Sequence, residues 1–419
     1  MTGECIHPDP ENDNEVINRW EVADIFRVSG PSYRSQHRLP ISHLKVMHDI
    51  ESCRTSHMGG HLEQCDTCGH VREYYNSCRN RHCPKCQCFT KACWLEARKA
   101  EVLPVDYFHQ VFTLPHELNP VILCNKKVLI NLLFKAASET LKDFGCNPDN
   151  GLGGTLGFIA ILHTWDQTLN AHFHLHCVVP AGAVAEDKHQ WIHAQEGFLF
   201  PVKALSKVFR GKFLTWFKQK YDNDELIFPW KTVIFEKPDD FSRLVDSLWH
   251  KEWVVYSKKP FAGAEHILDY LSRYTHRVAI SNDRIIDIDN GKVRFKYRDR
   301  RENDTVKVMI LTAEKFIRRF LLHVLPTGLT RIRYYGFLAN RNRKKNLSMC
   351  RRLLGLSSRD ESEVIDKSTP ELIFELTGVD PTKCPKCKRG TMLIMTDPTN
   401  DSFQYRNRFL EHQRTRDTS

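Results

Sequence analysis

Cysteines gather in one short part of the chain, at spacings that suit a tetrahedral metal ion. Seven of the 15 cysteines lie between residues 53 and 88. Two Cys-x-x-Cys pairs in this segment can each place two thiolates about 2.3 Å from one Zn²⁺. Four soft ligands with no open coordination position are typical of a structural zinc site. The spacing therefore predicts one zinc site formed by Cys65, Cys68, Cys83 and Cys86.

The same segment holds further possible ligands. A second zinc could be bound by a mixed set whose members alternate along the chain with the first four: Cys53, His61, Cys78 and His82. The alternative is that these groups lie at the surface or around the first site. A last pair, Cys384-x-x-Cys387, has no obvious partner pair, and its spacing does not decide whether it binds metal.

Three histidines alternate in the segment from 172 to 177. On a strand, His172, His174 and His176 would share one face, while Phe173 and its alternate neighbours would face a core. Two imidazoles two residues apart on a rigid strand can bind one divalent ion. The alternative is a half-exposed strand that turns polar histidines outward.

Two tyrosines, Tyr270 and Tyr274, are spaced to lie one helical turn apart on the same face. Ile267 and Leu271 flank that face, so packing in a core is the plain alternative. Together with the histidine strand and a basic chain, the tyrosines could serve DNA strand transfer. A metal would polarise the scissile phosphate, a phenolate would attack phosphorus, and the phosphotyrosine would keep the phosphodiester energy.

A basic run without acidic residues extends over residues 331–352. Its positive charges could neutralise phosphates while its aromatic rings stack on unpaired bases. A helix with a solvated basic face is the alternative. The residues predicted to contact DNA here are Arg331, Arg333, Arg341, Arg343, Lys344 and Lys345, and the interleaved rings are Tyr334, Tyr335 and Phe337.

Composition limits the classes of protein that fit. The 419 residues are 41% hydrophobic, which can fill a core and excludes a disordered chain. The longest apolar stretch, near residues 128–134, is too short to span a membrane. The net charge of +10 is compatible with a nucleic-acid partner. Residues 1–19 contain no secretory signal, so we expect a reducing cytoplasm and cysteines that bind metal.

The elements expected to carry these residues alternate between strands and helices. Asp289-Asn290-Gly291 predicts a type I′ hairpin turn, because Asn-Gly tolerates positive φ angles. The other segments follow from apolar periodicity. Strands are expected at 107–114, 155–164, 173–180 and 253–256, and helices at 43–50, 120–141, 204–221, 239–250 and 262–277.

Taken together, these motifs resemble the HUH-superfamily rolling-circle transposases with paired tyrosines, a bacterial insertion-sequence family. The resemblance covers about residues 20–390, with its clearest matches in four segments: Cys65–Cys86, Leu162–Gly182, Trp253–Asn282 and Arg331–Asn340. It implies an α+β fold in which an HUH-type antiparallel sheet is flanked by helices and preceded by a small Cys/His zinc-binding domain. It also implies a metal-dependent DNA strand transferase with tyrosine nucleophiles.

The resemblance assigns roles to individual residues. His174-Leu175-His176 would be the metal-binding motif, and Tyr270 and Tyr274 the nucleophiles. Gln167 is the nominated third ligand, with His163 and His172 as rivals, and His172 also leaves the register of the metal pair open. The expected ions are one or two structural Zn²⁺ and a catalytic Mg²⁺ or Mn²⁺. Candidate phosphate contacts near the tyrosines are Arg273, Lys258 and Lys259, for which a solvated charged face is the alternative.

The expected partner is DNA, as single-stranded or hairpin ends of a mobile element, in the nucleoid of a bacterial cytoplasm; the oligomeric state is not predicted. The alternatives are a replication initiator or relaxase on the same core, and a non-catalytic zinc-containing DNA-binding regulator. The expected divisions are a helical leader at 1–45, a zinc domain at 46–100, a catalytic core at 101–285, a hairpin and basic extension at 286–352, and a polar tail at 353–419.

Overall fold

The computed structural model describes residues 20–99, 101–150, 152–261, 278–299, 302–356 and 367–395. Its α-helices are α1 (Val22–Gln36), α2 (Ile41–Ser52), α3 (Pro84–Lys99), α4 (Asn119–Cys124), α5 (Lys126–Cys146), α6 (Val202–Asp222), α7 (Pro238–His250), α8 (Ala313–Leu322), α9 (Arg343–Leu353) and α10 (Thr369–Thr377). Its strands are β1 (Gly60–Cys65), β2 (Val71–Tyr75), β3 (Tyr107–Thr113), β4 (Gly154–Thr155), β5 (Gly157–Trp165), β6 (Ala171–Pro180), β7 (Gly182–Ala185), β8 (Trp191–His193), β9 (Val255–Phe261), β10 (Ile285–Asp289), β11 (Lys292–Asp299), β12 (Thr305–Thr312), β13 (Ile332–Gly336) and β14 (Met392–Ile394).

The central sheet is antiparallel, and its described strands run in the order β13-β5-β6-β3-β9. One face is apolar along its length. On β6 that face consists of Phe173, Leu175, Cys177 and Val179, which pack with apolar residues of α5 and α6 in one core. The alternation predicted for this strand is therefore confirmed.

The opposite face of the sheet changes character along its length. At one end Ile159, Ile161 and Val178 form a second core with residues of α3 and α9. At the other end the positions in the same alternation are histidines: His163 on β5, and His174 and His176 on β6. The fold thus surrounds a patch of imidazoles with apolar packing on the same strands.

A smaller sheet of order β10-β11-β12 follows. Asn290 and Gly291 have φ angles of 46° and 71°, and Asp289 pairs with Lys292, as the predicted hairpin requires. Helix α8 begins directly after this sheet, where the Thr312 side chain accepts a hydrogen bond from the Lys315 backbone N–H at 3.2 Å. The hairpin predicted from Asn290-Gly291 is therefore confirmed.

The N-terminal part is built from α1, α2 and the hairpin β1–β2, which is extended by β14 from the far end of the chain. Apolar residues of α1 and α2 share a core with β11 and α8; Phe26 of α1 contacts Phe320 edge to face at 5.3 Å. Helices α1 and α2 are therefore packed against the β10-β11-β12 sheet and α8.

The fold class expected from the sequence is confirmed: helices flank antiparallel sheets, and a cysteine-rich region precedes the core. Among the described helices, none combines the length and the apolar character needed to cross a membrane.

Candidate active site and zinc centres

Three buried histidines meet on the central sheet. His163 on β5 lies directly opposite His174 on β6, and His176 is two residues further along β6. Their exposed fractions are 4%, 9% and 7%. One ring nitrogen of each lies within 4.8 Å of the others, close enough to bind one metal ion.

Hydrogen bonds on the outer side of these rings decide which nitrogens face the cluster. His174 Nδ1 lies 3.0 Å from the His172 carbonyl oxygen, so Nδ1 carries the proton and donates it. His176 Nδ1 lies 2.8 Å from His109 Nε2. His174 Nε2 therefore keeps its lone pair, and His176 Nε2 does so in the tautomer in which His176 Nδ1 donates to His109. Such outer contacts fix the tautomer and orientation that a metal ligand needs.

His109 on β3 was not expected from the sequence, although it supports the cluster. Burial, with a smaller effect from the Lys258 charge, lowers the pKa of His109 to about 3. A neutral His109 can accept the proton of His176 Nδ1 in a hydrogen bond. The only signal in the sequence was a histidine within a strand rich in aromatic residues.

The residue that the structure brings together with His174 and His176 is His163, one of the two rivals to the nominated Gln167. Gln167 belongs to the turn between β5 and β6, beyond the Trp165–Ala171 pair, whereas His163 is in register with His174. His172 lies on the same strand but is not a member of the cluster. The two residues of β6 that the structure groups with His163 are therefore His174 and His176, whereas the metal-binding register itself stays a prediction.

The donor set can be tested against the expected ion. Imidazole nitrogens are ligands that suit a divalent transition metal. Mg²⁺ prefers oxygen ligands, so the set fits Mn²⁺ better than Mg²⁺. His163, His174 and His176 thus provide a site that a divalent ion can use.

A four-cysteine cluster, here called the inner cluster, lies between the end of α2 and the start of α3. Its members are Cys53, Cys78, Cys83 and Cys86. Cys86 Sγ is 3.6 Å from the sulfurs of both Cys53 and Cys78. Four sulfurs at tetrahedral angles and 2.3 Å from Zn²⁺ would be about 3.8 Å apart, so the cluster has the dimensions of a zinc site. The Cys78 backbone N–H donates to Cys53 Sγ at 3.5 Å, a contact that favours the ligating thiolate.

A second group, here called the outer cluster, joins both ends of the chain: Cys65, Cys68, Cys384 and Cys387. The structure therefore pairs the cysteines differently from the sequence prediction, which grouped Cys65 and Cys68 with Cys83 and Cys86. The reason is the hairpin β1–β2. Cys65 and Cys68 lie at its turn, while the inner cluster lies at its open end, roughly 17 Å away at the rise of a strand.

The two histidines of the predicted second zinc site belong to neither cluster. His61 Nε2 contacts Glu63 at 3.2 Å, and its ring stacks on Tyr74. His82 is half-buried and lines a cavity with Thr164 and Trp165, and its Nε2 accepts a hydrogen bond from the Leu325 backbone N–H at 3.4 Å. Burial lowers the pKa of His82 well below its usual value, so the ring is neutral.

The basic run divides into an internal and an exposed part. Arg333 lies 3.9 Å from the ring centre of Phe134, and Arg343 contacts Glu101 at 3.1 Å and lies over Tyr334. Burial, and the charge of Arg81, lower the pKa of Arg331 to about 10. These three arginines therefore have internal contacts, whereas Arg341, Lys344 and Lys345 are exposed.

The aromatic rings of the run also face inward. Tyr334 accepts hydrogen bonds from Trp94 and Arg98, Tyr335 stacks on Phe158 at 4.9 Å, and Phe337 is 4% exposed. The predicted stacking on bases therefore has no support from these three rings.

The predicted nucleophiles Tyr270 and Tyr274, with Arg273, lie outside the described residues. Lys258 is exposed on β9 in register with His109, and Lys259 follows it on that strand. The described chain resumes at Val278, and Val278 and Ala279 line a cavity with Thr164 and Trp165. The Trp165 ring stacks on His163 with ring centres 5.2 Å apart.

Comparison with known proteins gives matches over most of the chain. Residues 157–346 match the family described as "Putative transposase" (Y2_Tnp), and residues 25–114 match the "Transposase zinc-binding domain" (Zn_Tnp_IS91). No solved structure matches the chain.

Two curated relatives are similar over nearly their whole length. The chain is 49% identical over 377 residues to "Putative transposase y4qJ" of Sinorhizobium fredii, covering 90% of this chain and 94% of that protein. It is 27% identical over 357 residues to "Transposase for insertion sequence element IS801" of Pseudomonas savastanoi pv. phaseolicola, covering 82% and 81%. With the zinc-binding region and the antiparallel core described above, these matches show that the chain belongs to the IS91-type family of rolling-circle transposases.

Proposed function

We propose that this transposase nicks and rejoins single DNA strands at the ends of a mobile element through a 5′-phosphotyrosine intermediate. The observation that carries the proposal is the buried cluster of His163, His174 and His176 on the central sheet of a transposase. Imidazoles oriented by hydrogen bonds on a rigid sheet are costly to bury unless they bind something.

The three histidines would hold a divalent ion, for which Mn²⁺ is our first choice. The chemistry that such an ion would supply is polarisation of the scissile phosphate and neutralisation of its developing charge. The His172 carbonyl and His109 would keep His174 and His176 in the binding orientation throughout. His109 is thus a positioning residue rather than a catalytic one.

Tyr270 and Tyr274 would supply the nucleophiles. The phenolate oxygen of one tyrosine would form a bond to phosphorus while the bond from phosphorus to the 3′-oxygen breaks. The leaving strand would take up a proton as a free 3′-hydroxyl, and the 5′ phosphate would stay on the tyrosine. Attack by a 3′-hydroxyl would reverse the step and rejoin a strand without ATP. The second tyrosine would serve a second strand.

The length of chain supports this assignment. Tyr274 is four residues before Val278, which allows at most roughly 14 Å of extended chain. Val278 lines the same cavity as Trp165, whose ring stacks on His163. The short connection from Tyr274 to this cavity is compatible with a tyrosine nucleophile close to the histidine cluster.

The exposed cations would guide the DNA. Lys258 lies on the strand that borders β3, beside His109, and is a candidate phosphate contact with Lys259 and Arg273. The exposed residues Arg341, Lys344 and Lys345 form a second positive area at the start of α9. Of the basic run, we assign DNA contact to these three rather than to the arginines with internal contacts.

The decisive experiment is to trap the covalent adduct. The purified chain is incubated with Mn²⁺ and labelled single strands from the element's ends, and then resolved on a denaturing gel. We expect an adduct with the unmodified chain and none with the double variant Tyr270→Phe/Tyr274→Phe, which should still shift the same DNA on a native gel. Tyr74→Phe, which changes an exposed tyrosine of the β1–β2 hairpin, is the matched control and should form the adduct.

Two outcomes would contradict the proposal. An adduct that persists in the double variant would remove these tyrosines as nucleophiles. DNA binding without any adduct from the unmodified chain would favour the non-catalytic regulator.

A further inference from the structure

We infer that the outer cluster is a second structural zinc site, split between the two ends of the chain, which fastens residues 378–395 to the β1–β2 hairpin. Its ligands would be Cys65 and Cys68 from the hairpin turn and Cys384 and Cys387 from the tail. The inference is independent of the strand-transfer proposal, because it concerns four cysteines that share no member with the histidine cluster.

The distances between the sulfurs agree with four thiolates around one ion. Cys65 Sγ lies 3.7 Å from Cys387 Sγ, and Cys68 Sγ lies 3.7 Å from Cys384 Sγ. Tetrahedral Zn–S bonds of 2.3 Å would give about 3.8 Å. These pairs are also too far apart for disulfides, whose sulfurs are about 2.05 Å apart.

Backbone amides point at the sulfurs in both halves of the site. The N–H groups of Thr67 and Cys68 donate to Cys65 Sγ at 3.4 and 3.5 Å. In the tail, the Gly390 N–H donates to Cys387 Sγ at 3.3 Å. Such donors stabilise thiolates that bind a metal. Each half is therefore shaped as a metal-binding knuckle.

The tail is also held in register by backbone pairing. Strand β14 is antiparallel to β1, with Cys65 opposite Met392. Thr391 N–H donates to Asp66 Oδ1 at 2.9 Å, beside the first knuckle. The four cysteines are thus brought together by a regular sheet rather than by chance proximity.

Apolar packing around the outer cluster is sparse. Its buried apolar group consists of Cys65, Cys384 and Met392, with Cys387 packed against them. Three of these four members are the proposed ligands themselves. A segment with so little core needs another source of stability, and metal binding supplies it in small domains.

The test measures zinc content and cysteine reactivity in the full-length chain. The double variant Cys384→Ser/Cys387→Ser should contain one zinc fewer per chain than the unmodified protein, by elemental analysis after gel filtration. The variant Cys146→Ser changes an exposed cysteine outside both clusters and should keep the full content. An unchanged zinc content in the double variant would overturn the inference.

A second measurement needs no variant. Iodoacetamide is applied to the zinc-loaded chain before and after chelation, and the modified cysteines are identified by mass spectrometry. We expect Cys384 and Cys387 to be protected until zinc is removed, while Cys146 reacts in both states. Equal modification of Cys384 with and without zinc would overturn the inference, whatever the fold of the variants.

Discussion

The inner and outer cysteine clusters have the same ligands and nearly the same dimensions but different surroundings. Sulfurs are 3.6 Å apart in the inner cluster and 3.7 Å apart in the outer one. In the inner cluster, Cys53, Cys83 and Cys86 are part of a large apolar core with residues of α1, α2, β11 and α8. In the outer cluster, the ligands make up nearly all of the core.

This difference shows that two metal sites with the same four cysteine ligands can have distinct structural roles. Around the inner cluster, zinc and apolar packing stabilise the same elements, so loss of either disturbs both. Around the outer cluster, zinc would hold a short segment whose release leaves the other cores intact. Ligand identity alone therefore does not reveal how much of the fold depends on a metal.

The largest expected effect is that of Cys83→Ser. Cys83 is 1% exposed, and its replacement removes a ligand and leaves a polar group in a core. We expect loss of one zinc and a fall in melting temperature on the order of 10 °C, since several kcal/mol are lost in a chain of this size. Circular dichroism melts of Cys83→Ser and Cys384→Ser, run side by side, measure the contrast.

For Cys384→Ser, by comparison, the main transition should move by less than about 3 °C, because the segment it releases is small. Equal decreases in melting temperature in Cys83→Ser and Cys384→Ser would contradict the distinction between a zinc site within a core and one that only attaches the tail segment.

The sequence alone did not predict which cysteines share a metal site. The ligand type and the number of Cys-x-x-Cys pairs followed from spacing. The partners did not, because a hairpin separates Cys68 from Cys83 and a sheet brings Cys384 back over more than 300 residues. Spacing reports which residues can share a metal locally, but pairing of distant strands decides which ones do.

The histidine site gives a similar lesson. Alternation on β6 predicted which face His174 and His176 would share, since strand periodicity is local. The position of His163 opposite His174 depended on the register between β5 and β6, which is irregular between His163 and Trp165 and which no local pattern indicates. His109 joins through a third strand, β3, whose place beside β6 no local pattern indicates.

A smaller effect is expected from Gly390→Ala, which tests the outer cluster separately from the inner cluster without removing a ligand. A Cβ at residue 390 would lie 2.3 Å from Cys65 Sγ and 2.7 Å from Asp66 Oδ1. Since these contacts are too short, the knuckles must shift, and we expect the outer site to bind zinc about tenfold more weakly. Competition with a chromogenic chelator measures this affinity.

The matched control is Gly211→Ala, where the nearest atom to a new Cβ is Trp249 at 3.8 Å in ordinary contact. That variant should bind zinc with the same affinity as the unmodified chain. If Gly390→Ala also behaves like the unmodified chain, the close approach of the two knuckles is not needed for binding.

The smallest expected effect is that of Asp66→Asn, which tests the contact between β14 and the first knuckle. The Thr391 N–H, with the Thr67 hydroxyl, lowers the pKa of the Asp66 carboxyl. The pKa of Asp66 is therefore lower in the folded chain than in the unfolded chain. The stabilisation that the Asp66 carboxylate gives to tail docking is fully present above the unfolded pKa near 4, and it is lost only as the pH falls through the folded pKa. We therefore expect amide exchange at residues 390–393 to be modestly faster in the variant, by a ratio that is constant from pH 6 to pH 8. Because the side chain is exposed, zinc content should not change. A ratio that varies between pH 6 and pH 8 would mean that another titrating group, and not the Asp66 carboxylate, holds the tail against the hairpin.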